Sequence, residues 1–311
     1  MISIVVPLFN EGESLNIFYD ELTKEIQKLD KDYEIILIDD GSIDSSLEIL
    51  KQIAKTDKQV RIFSFRKNQG KAEALTFGFQ KAKGDYIVTL DADLQDKPKE
   101  IPKLLEKVKK GYDLVCGWRV NRRDSVLKVL SSKIFNFLVS LLWGLKLHDY
   151  NCGLKVYTSE AAKSLHLYGG MHRFIPLLVY DQGFRVTEVA VEHEKRKFGR
   201  SKYGFSKLWK DMPDIFTMLF LSKYSKKPLH FFGTVGVTLL MLGVFILGYL
   251  AVLWFQGHPI GRRPLLFLGM LLVLSGFQVF FTGFLADFII NMSQRSDQRE
   301  TEKVLLKYES T

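Results

Sequence analysis

"DYIVTLDADLQDKPKE" occupies residues 85–100. Its first part is apolar and β-branched, as a buried strand requires. It then turns to three aspartates, Asp91, Asp93 and Asp96, within six positions. Carboxylates this close repel one another and raise each other's pKa unless a positive partner lies among them. A carboxylate pair at i and i+2, just past a buried strand, can hold a hard divalent cation. Mg²⁺ usually binds through one or two carboxylates with substrate phosphates, and Mn²⁺ suits the same oxygen ligands. Asp91 and Asp93 are therefore candidate metal ligands. The expected cargo is a nucleotide diphosphate, which the metal would neutralise as a leaving group. The bland alternative is a solvated loop whose aspartates cap helices, Asp96 capping the one that follows.

The flanking sequence repeats the same junction. "ISIVVPLF" (2–9), "YEIILID" (33–39), "VRIFSF" (60–65) and "DLVCGW" (113–118) also read as buried strands. Residues 14–29, 44–55, 70–82 and 98–110 have helical spacing, and Pro98 and Pro102 suit the start of the last. Strands alternating with helices imply an α/β, doubly wound, largely parallel sheet. Ligands bind such sheets beyond the carboxyl ends of the strands. Polar clusters fall there: "NEGES" after the first strand, "DDGS" after the second, "RKNQGK" after the third and "DADLQD" after the fourth. Asp39 and Asp44 suit turn and N-cap roles, and Gly70 a turn. "RVTEVAVEHE" (185–194) alternates like a further strand.

The second half differs in composition. Phe231–Phe255 and Leu265–Ala286 carry no charged residue, over 25 and 22 positions. About 20 apolar residues suffice to cross a bilayer as a helix. Two transmembrane helices are expected within 229–292. Residues 1–225 form the expected cytosolic catalytic domain and 293–311 a cytosolic tail. The N-terminal "MISIVVPLF" has no basic leader. Lys223, Lys226, Lys227, Arg295, Arg299, Lys303 and Lys307 flank the spans and outnumber Arg262 and Arg263 between them. By the positive-inside rule this is a multi-pass protein of the cell (inner) membrane with both termini cytoplasmic. The stretches 125–147 and 205–222 suit amphipathic helices lying at the interface, the former equally readable as a core helix. Gly236 and Gly243, and Gly269, Gly276 and Gly283, recur every seven residues. Such stripes suit a packed hairpin or packing between protomers in a homo-oligomer.

The formal charge of +9 fits an anionic lipid bilayer surface and anionic substrates better than nucleic acid, given the spans. Cys116 and Cys152 fit no metal-ligand spacing, and the six histidines show none either. Neither G-x-G-x-x-G nor a P-loop occurs, which argues against a dinucleotide enzyme.

Taken in order, "VVPLFNE" (5–11), "DDGS" (39–42), "NQGK" (68–71), "DADLQDKP" (91–98) and "GWR" (117–119) resemble the GT-A inverting glycosyltransferases. "NCGLKVY" (151–157), "MHRFIP" (171–176), "GRSKYG" (199–204) and the two spans narrow the resemblance to bacterial polyprenyl-phosphate glycosyltransferases, relatives of dolichyl-phosphate mannose synthase. The resemblance covers essentially the whole chain. It implies a GT-A sheet with a C-terminal transmembrane hairpin. It also implies transfer of a hexose from a nucleotide-diphosphate sugar, UDP-linked by preference, to polyprenyl phosphate such as undecaprenyl phosphate. Pro7, Glu11, Asp40, Lys71 and Ala92 are then nucleotide-site residues. Gln95 joins Asp91 and Asp93 as a metal or diphosphate contact. Arg119 contacts a phosphate, and Arg173 belongs to the acceptor side. Asp149 is a candidate base. Phe9 stands where many relatives carry tyrosine, and Lys97 where a proline is frequent, a change expected to matter little.

A phosphate monoester has a second pKa near ~6 and is already nucleophilic at neutral pH. Asp149 is thus at least as well suited to orienting a cation as to accepting a proton. Repulsion between two anionic substrates calls for fixed cations instead. "KRKFGRSKYG" (195–204) supplies them, with Arg200 and Lys202 as candidate grips on the acceptor phosphate. Other readings are a GDP-mannose-using mannose synthase, a processive synthase (without its Q-x-x-R-W motif), a nucleotidyltransferase, and a non-catalytic membrane scaffold with a degenerate sugar-nucleotide head.

Overall fold

The computed structural model describes residues 1–29, 32–120, 136, 139–140, 143–194, 217, 227–261 and 263–305. They divide into two compact units, Met1–Met218 and Leu219–Thr311.

The first unit is a seven-stranded sheet. In chain order the elements are β1 (Ile2–Leu8), α1 (Leu15–Leu29), β2 (Tyr33–Asp39), α2 (Ser46–Thr56), β3 (Val60–Ser64), α3 (Lys71–Lys81), β4 (Tyr86–Thr89), a 3₁₀ turn (Pro98–Glu100) leading into α4 (Ile101–Lys109), and β5 (Leu114–Arg119). Then follow β6 (Lys155–Thr158), α5 (Ser159–Lys163), a 3₁₀ turn (Met171–Arg173), α6 (Ile175–Asp181) and β7 (Val186–Val191). The spatial order is β3-β2-β1-β4-β6-β5-β7. All neighbours are parallel except β6, which runs antiparallel to both β4 and β5. This strand, within "NCGLKVY", is absent from the sequence reading.

Every residue of β1 and β2 is buried. That pattern requires cover on both faces of the sheet and explains why these strands read as unbroken apolar runs. One face carries α1, whose Leu15, Phe18, Leu22 and Ile26 are buried at helical spacing. Leu104, Leu105 and Val108 of α4 join the same core. Gly78 of α3 lets that helix close on the sheet, since a Cβ there would lie 2.4 Å from Val5 Cγ1.

Around the second half of the unit, the stretch 125–147 is helical at its described positions 136, 139, 140 and 143 and ends before Gly144, which has φ +75°. The expected interfacial helix at 205–222, described only at residue 217, lies outside the described residues otherwise.

The second unit is a helical hairpin, α7 (Pro228–Phe255) and α8 (Pro264–Leu305). Pro228–Phe255 and Pro264–Ile290 are each long and apolar enough to cross a membrane, with mean hydropathy 2.4 and 2.1. The glycine stripes lie on the seam between these helices. A Cβ on Gly236 would lie 2.7 Å from the Gly276 carbonyl oxygen, and one on Gly276 would lie 2.6 Å from the Leu240 nitrogen. Gly243 approaches the opposite backbone in the same way, Gly269 meets the Leu247 and Ile246 side chains, and Gly248 faces open space. The stripes thus serve a packed hairpin within one chain, where small residues let two backbones meet.

Gly276→Ala therefore overpacks this seam and destabilises the hairpin by about 1–3 kcal/mol. Gly248→Ala does not. Thermal unfolding of the detergent-solubilised protein separates the two, and equal melting temperatures would exclude the seam.

Candidate active site

The site forms where β1, β2 and β4 end and β6 begins. The loops after β1 and β2 interlock. Asn10, in the left-handed region at φ 55°, donates its N–H to Ser42 Oγ at 2.9 Å and accepts the Ile43 N–H at 2.9 Å. The Glu11 N–H reaches Ser46 Oγ at 3.0 Å, and Asp44 accepts the N–H groups of Ser46 and Gly12. Asp39 accepts from the Ser42 N–H and the Ser64 hydroxyl, as a turn residue should. Asp44 does hold the start of α2, from two residues ahead of Ser46.

Buried Asp40 accepts the N–H of Gln69 at 2.6 Å and of Gly70 at 2.9 Å. It fixes the loop that starts α3. Gly70, with φ +96°, makes a turn that side chains resist, and the next residue is Lys71. Lys71 Nζ then meets Asp91 Oδ1 at 2.5 Å. Burial opposes both charges, but the pair outweighs it: Lys71 is held above the ordinary range of an ammonium and Asp91 below that of a carboxylate. The positive partner that the aspartates demand is thus supplied first by the protein's own lysine.

The carboxylate loop turns at buried Leu94, whose φ of 62° places a non-glycine side chain in the left-handed region. Asp93, also buried, accepts the Gln95 N–H at 3.1 Å. Asp96 does not cap the following helix. It is buried and turned inward, accepting the Leu154 N–H at 3.0 Å. Burial, with Asp91 and Asp93 nearby, pushes its pKa up to about 6. Its anchoring role follows from β6: the strand's antiparallel course brings 151–154 alongside the carboxylates. Gly153 makes that approach possible, because a Cβ there would lie 2.8 Å from both Asp91 Oδ2 and Asp96 Oδ2. Thr89 Oγ1 donates to the Gly153 carbonyl at 2.9 Å.

Pro7, Lys71, Asp91, Asn151, Lys155 and His172 line one small cavity of about 20 Å³. Lys155 and His172 were not candidates from sequence. Lys155 is buried and donates to the Cys152 carbonyl. Its signal was a lone charge inside the apolar run "GLKVY". His172 is driven down to about 3 by burial, then by Lys71 and Arg173, so its ring is neutral at physiological pH. Nothing in its spacing marked it.

Beside the cavity, Arg119 and Asp149 form a two-point pair, Nε to Oδ2 at 2.6 Å and Nη2 to Oδ1 at 2.9 Å. Asp149 is buried and also accepts the Asn151 N–H at 3.1 Å. Both carboxylate oxygens are committed, which is the geometry of an orienting group. The pair uses two of the five guanidinium N–H donors. Glu11 and Ala92 lie in the loops described, Ala92 buried between the two aspartates. Arg173 follows His172 but does not line the cavity. Arg200 and Lys202 lie outside the described residues.

Asp91 and Asp93 offer hard oxygen donors, and Asp91 keeps 36% of its side chain exposed. No group of three or more His, Cys, Asp or Glu suited to a metal ion occurs among the described residues. Two carboxylates fit Mg²⁺ or Mn²⁺ with phosphates and water completing the shell. They do not fit a metal caged by protein ligands alone. The Gln95 side chain is engaged elsewhere, its Nε2 donating to the Glu194 carbonyl at 3.4 Å.

Comparison with known proteins agrees with this arrangement. Residues 3–165 match the model of glycosyl transferase family 2. The chain is 38% identical over 302 residues to the dodecaprenyl-phosphate galacturonate synthase of Rhizobium johnstonii, covering 95% of this chain and 89% of the relative. It is 34% identical over 292 residues to the undecaprenyl-phosphate 4-deoxy-4-formamido-L-arabinose transferase of Pectobacterium atrosepticum, covering 93% and 88%. Among solved structures, glucosyl-3-phosphoglycerate synthase from Mycobacterium tuberculosis, in complex with Mn²⁺ and UDP-glucose, shares the fold. Its TM-score is 0.54 at 20% identity, over 71% of this chain and 78% of that one. The chain belongs to glycosyl transferase family 2 and has a GT-A sheet, and its relatives include polyprenyl-phosphate sugar synthases.

Two substitutions follow from the geometry. Gly153→Ala forces the 151–154 segment off the carboxylates, and turnover falls about a hundredfold, as a misplacement near 1 Å can cause. Asp149→Asn also slows turnover but keeps the acid limb of the pH–rate profile, because Arg119 loses its orienting partner and no base is lost. Loss of that limb in steady-state kinetics would restore Asp149 as the base.

Proposed function

We propose that this protein transfers a hexose from a UDP-sugar to a polyprenyl phosphate, undecaprenyl phosphate by preference, at the cytosolic face of the cell membrane. The observation that carries this reading is the convergence of Asp91, Lys71, Asn151, Gly153 and Lys155 on one cavity at the strand ends. The chain that builds this cavity also carries two helices able to span a bilayer. The relatives named above, whose names specify prenyl-phosphate acceptors, support it.

The roles in this reading rest on the family resemblance, with the contacts described above in support where the residues are described. Pro7, Glu11, Asp40, Lys71 and Ala92 surround the nucleotide. Asp91 and Asp93, with Gln95 adjoining, would hold Mg²⁺ or Mn²⁺, which when bound neutralises diphosphate charge. Lys71 keeps Asp91 ionised, so the site is charged before substrate arrives. Arg119, held by Asp149, meets a phosphate, and Arg173, Arg200 and Lys202 serve the acceptor side. An oxygen of the lipid phosphate attacks the anomeric carbon. A new carbon–oxygen bond forms as the bond to the diphosphate breaks, the electron pair leaves with UDP, and the configuration inverts. The acceptor needs no strong base, since its second pKa is near ~6.

Purified protein incubated with polyprenyl phosphate and a panel of nucleotide sugars gives a lipid product whose mass identifies the sugar. Excess chelator abolishes transfer, and Mg²⁺ or Mn²⁺ restores it. Asp91→Asn lowers turnover by at least about a hundredfold, on the scale of losing one electrostatic contact to developing charge. Full transfer in chelator would remove the metal from the reaction. Release of pyrophosphate in place of UDP would make the protein a nucleotidyltransferase.

A further inference from the structure

Lys97 occupies a position where relatives frequently carry proline, and the sequence gives it no role. In the structure it is buried, with 11% of its side chain exposed. Its ammonium lies 3.1 Å from Glu194 Oε2 and 3.4 Å from Glu21 Oε2 on α1. Glu194 lies three residues beyond the end of β7 and is attached to the carboxylate loop twice more. Its N–H donates to the Gln95 carbonyl at 3.0 Å, and its own carbonyl accepts from Gln95 Nε2 at 3.4 Å. One residue earlier, His193 forms a β-bridge with Asp96. Further out, Lys99 pairs with Glu192 at 2.6 Å.

The contacts made by Glu192, His193 and Glu194 therefore fall on consecutive or near-consecutive residues of one loop, from Gln95 to Lys99. That loop contains Leu94, held at φ 62° with its side chain buried. A non-glycine residue in this region costs of order 1–3 kcal/mol and persists only where its surroundings over-determine it. The segment after β7 supplies such surroundings on one side of the loop. The Asp96 bond to the Leu154 N–H supplies them on the other.

We propose that Lys97 and Glu194 form a clamp that holds the Leu94 turn, and through it the aim of Asp93 and Gln95. Lys97 is a positioning residue for the metal-diphosphate end of the reaction. The inference rests on the reading of Asp91 and Asp93 as the diphosphate site. Groups supporting a ligand shell typically contribute about 10- to 100-fold to metal affinity or activity. Lys97→Met keeps the buried stem and removes only the charge. It raises the KM for the nucleotide sugar, and the Mn²⁺ concentration giving half-maximal rate, about tenfold. The KM for polyprenyl phosphate and the melting temperature do not change. Glu194→Gln acts in the same direction, and the double variant is no worse than Lys97→Met alone, because the Lys97–Glu194 pair is already lost in it. Lys97→Arg restores wild-type values. Glu21→Gln, which touches Lys97 but not Gln95, has a smaller effect.

A second readout does not depend on turnover. Calorimetry of UDP binding with Mn²⁺ gives a weaker Kd in Lys97→Met, and hydrogen exchange at residues 93–97 is faster. Wild-type nucleotide-sugar KM and UDP affinity in Lys97→Met would overturn the clamp. So would additive losses in the double variant. Absence of any lipid product from the wild-type protein would instead overturn the proposed function.

Discussion

Crowded negative charge is the constraint around which the first unit is organised. Asp91, Asp93 and Asp96 must share one strand end, and two of them must stay ionised to be useful. Repulsion among them works against that, and so does burial. The fold answers with an ammonium delivered through a chain of short contacts. Buried Asp40 fixes the Gln69 and Gly70 amides, Gly70 makes the turn, and Lys71 opens α3 against Asp91. A lysine placed in this way is a permanent counter-ion. It preserves the charge of Asp91 without requiring a metal to be present.

Arginine and carboxylate are combined differently beside the cavity. Arg119 and Asp149 neutralise one another through two hydrogen bonds. A locked guanidinium loses little freedom when it meets a phosphate, since its planar fork is already oriented. The two pairs therefore divide the labour. Lysine with Asp91 maintains negative charge, while Asp149 with arginine maintains direction.

Much of this was legible in the sequence, because period and composition report burial. The unbroken apolar runs of β1 and β2 gave a parallel sheet with both faces covered, and the polar cluster after each strand marked the edge where ligands bind. Asp91 and Asp93 stood out as a carboxylate pair just past a buried strand, and Lys71 through the family resemblance. β6 was missed because it is four residues long and begins two residues after Gly153. Its neighbours are distant in sequence, so no local period reports them. A helix cap was the bland alternative for Asp96 because a local role was available, whereas its actual partner, the Leu154 N–H, is 58 residues away. Lys97 and His172 were missed for the same reason. Their environments are built entirely by tertiary contacts, and a lysine beside a loop looks solvated until the acidic residues around it are placed.

The direction of β6 has a consequence for how such a protein can change over generations. In a purely parallel sheet, the segments after the strands reach the ligand edge. Here Thr89, at the end of β4, lies opposite Lys155, at the beginning of β6. The residues that enter the strand therefore feed the site, and the connection from Arg119 to Asp149 returns to the same edge from which it left. Its two ends are fastened together by the Arg119–Asp149 pair, so it is a closed excursion with a fixed base. Its described part is not free to drift, since Val139 is fully buried and Asn136 is buried and donates to the His148 carbonyl. Change in such a lineage is therefore confined by the buried positions within this connection as well as by the ion pair at its base.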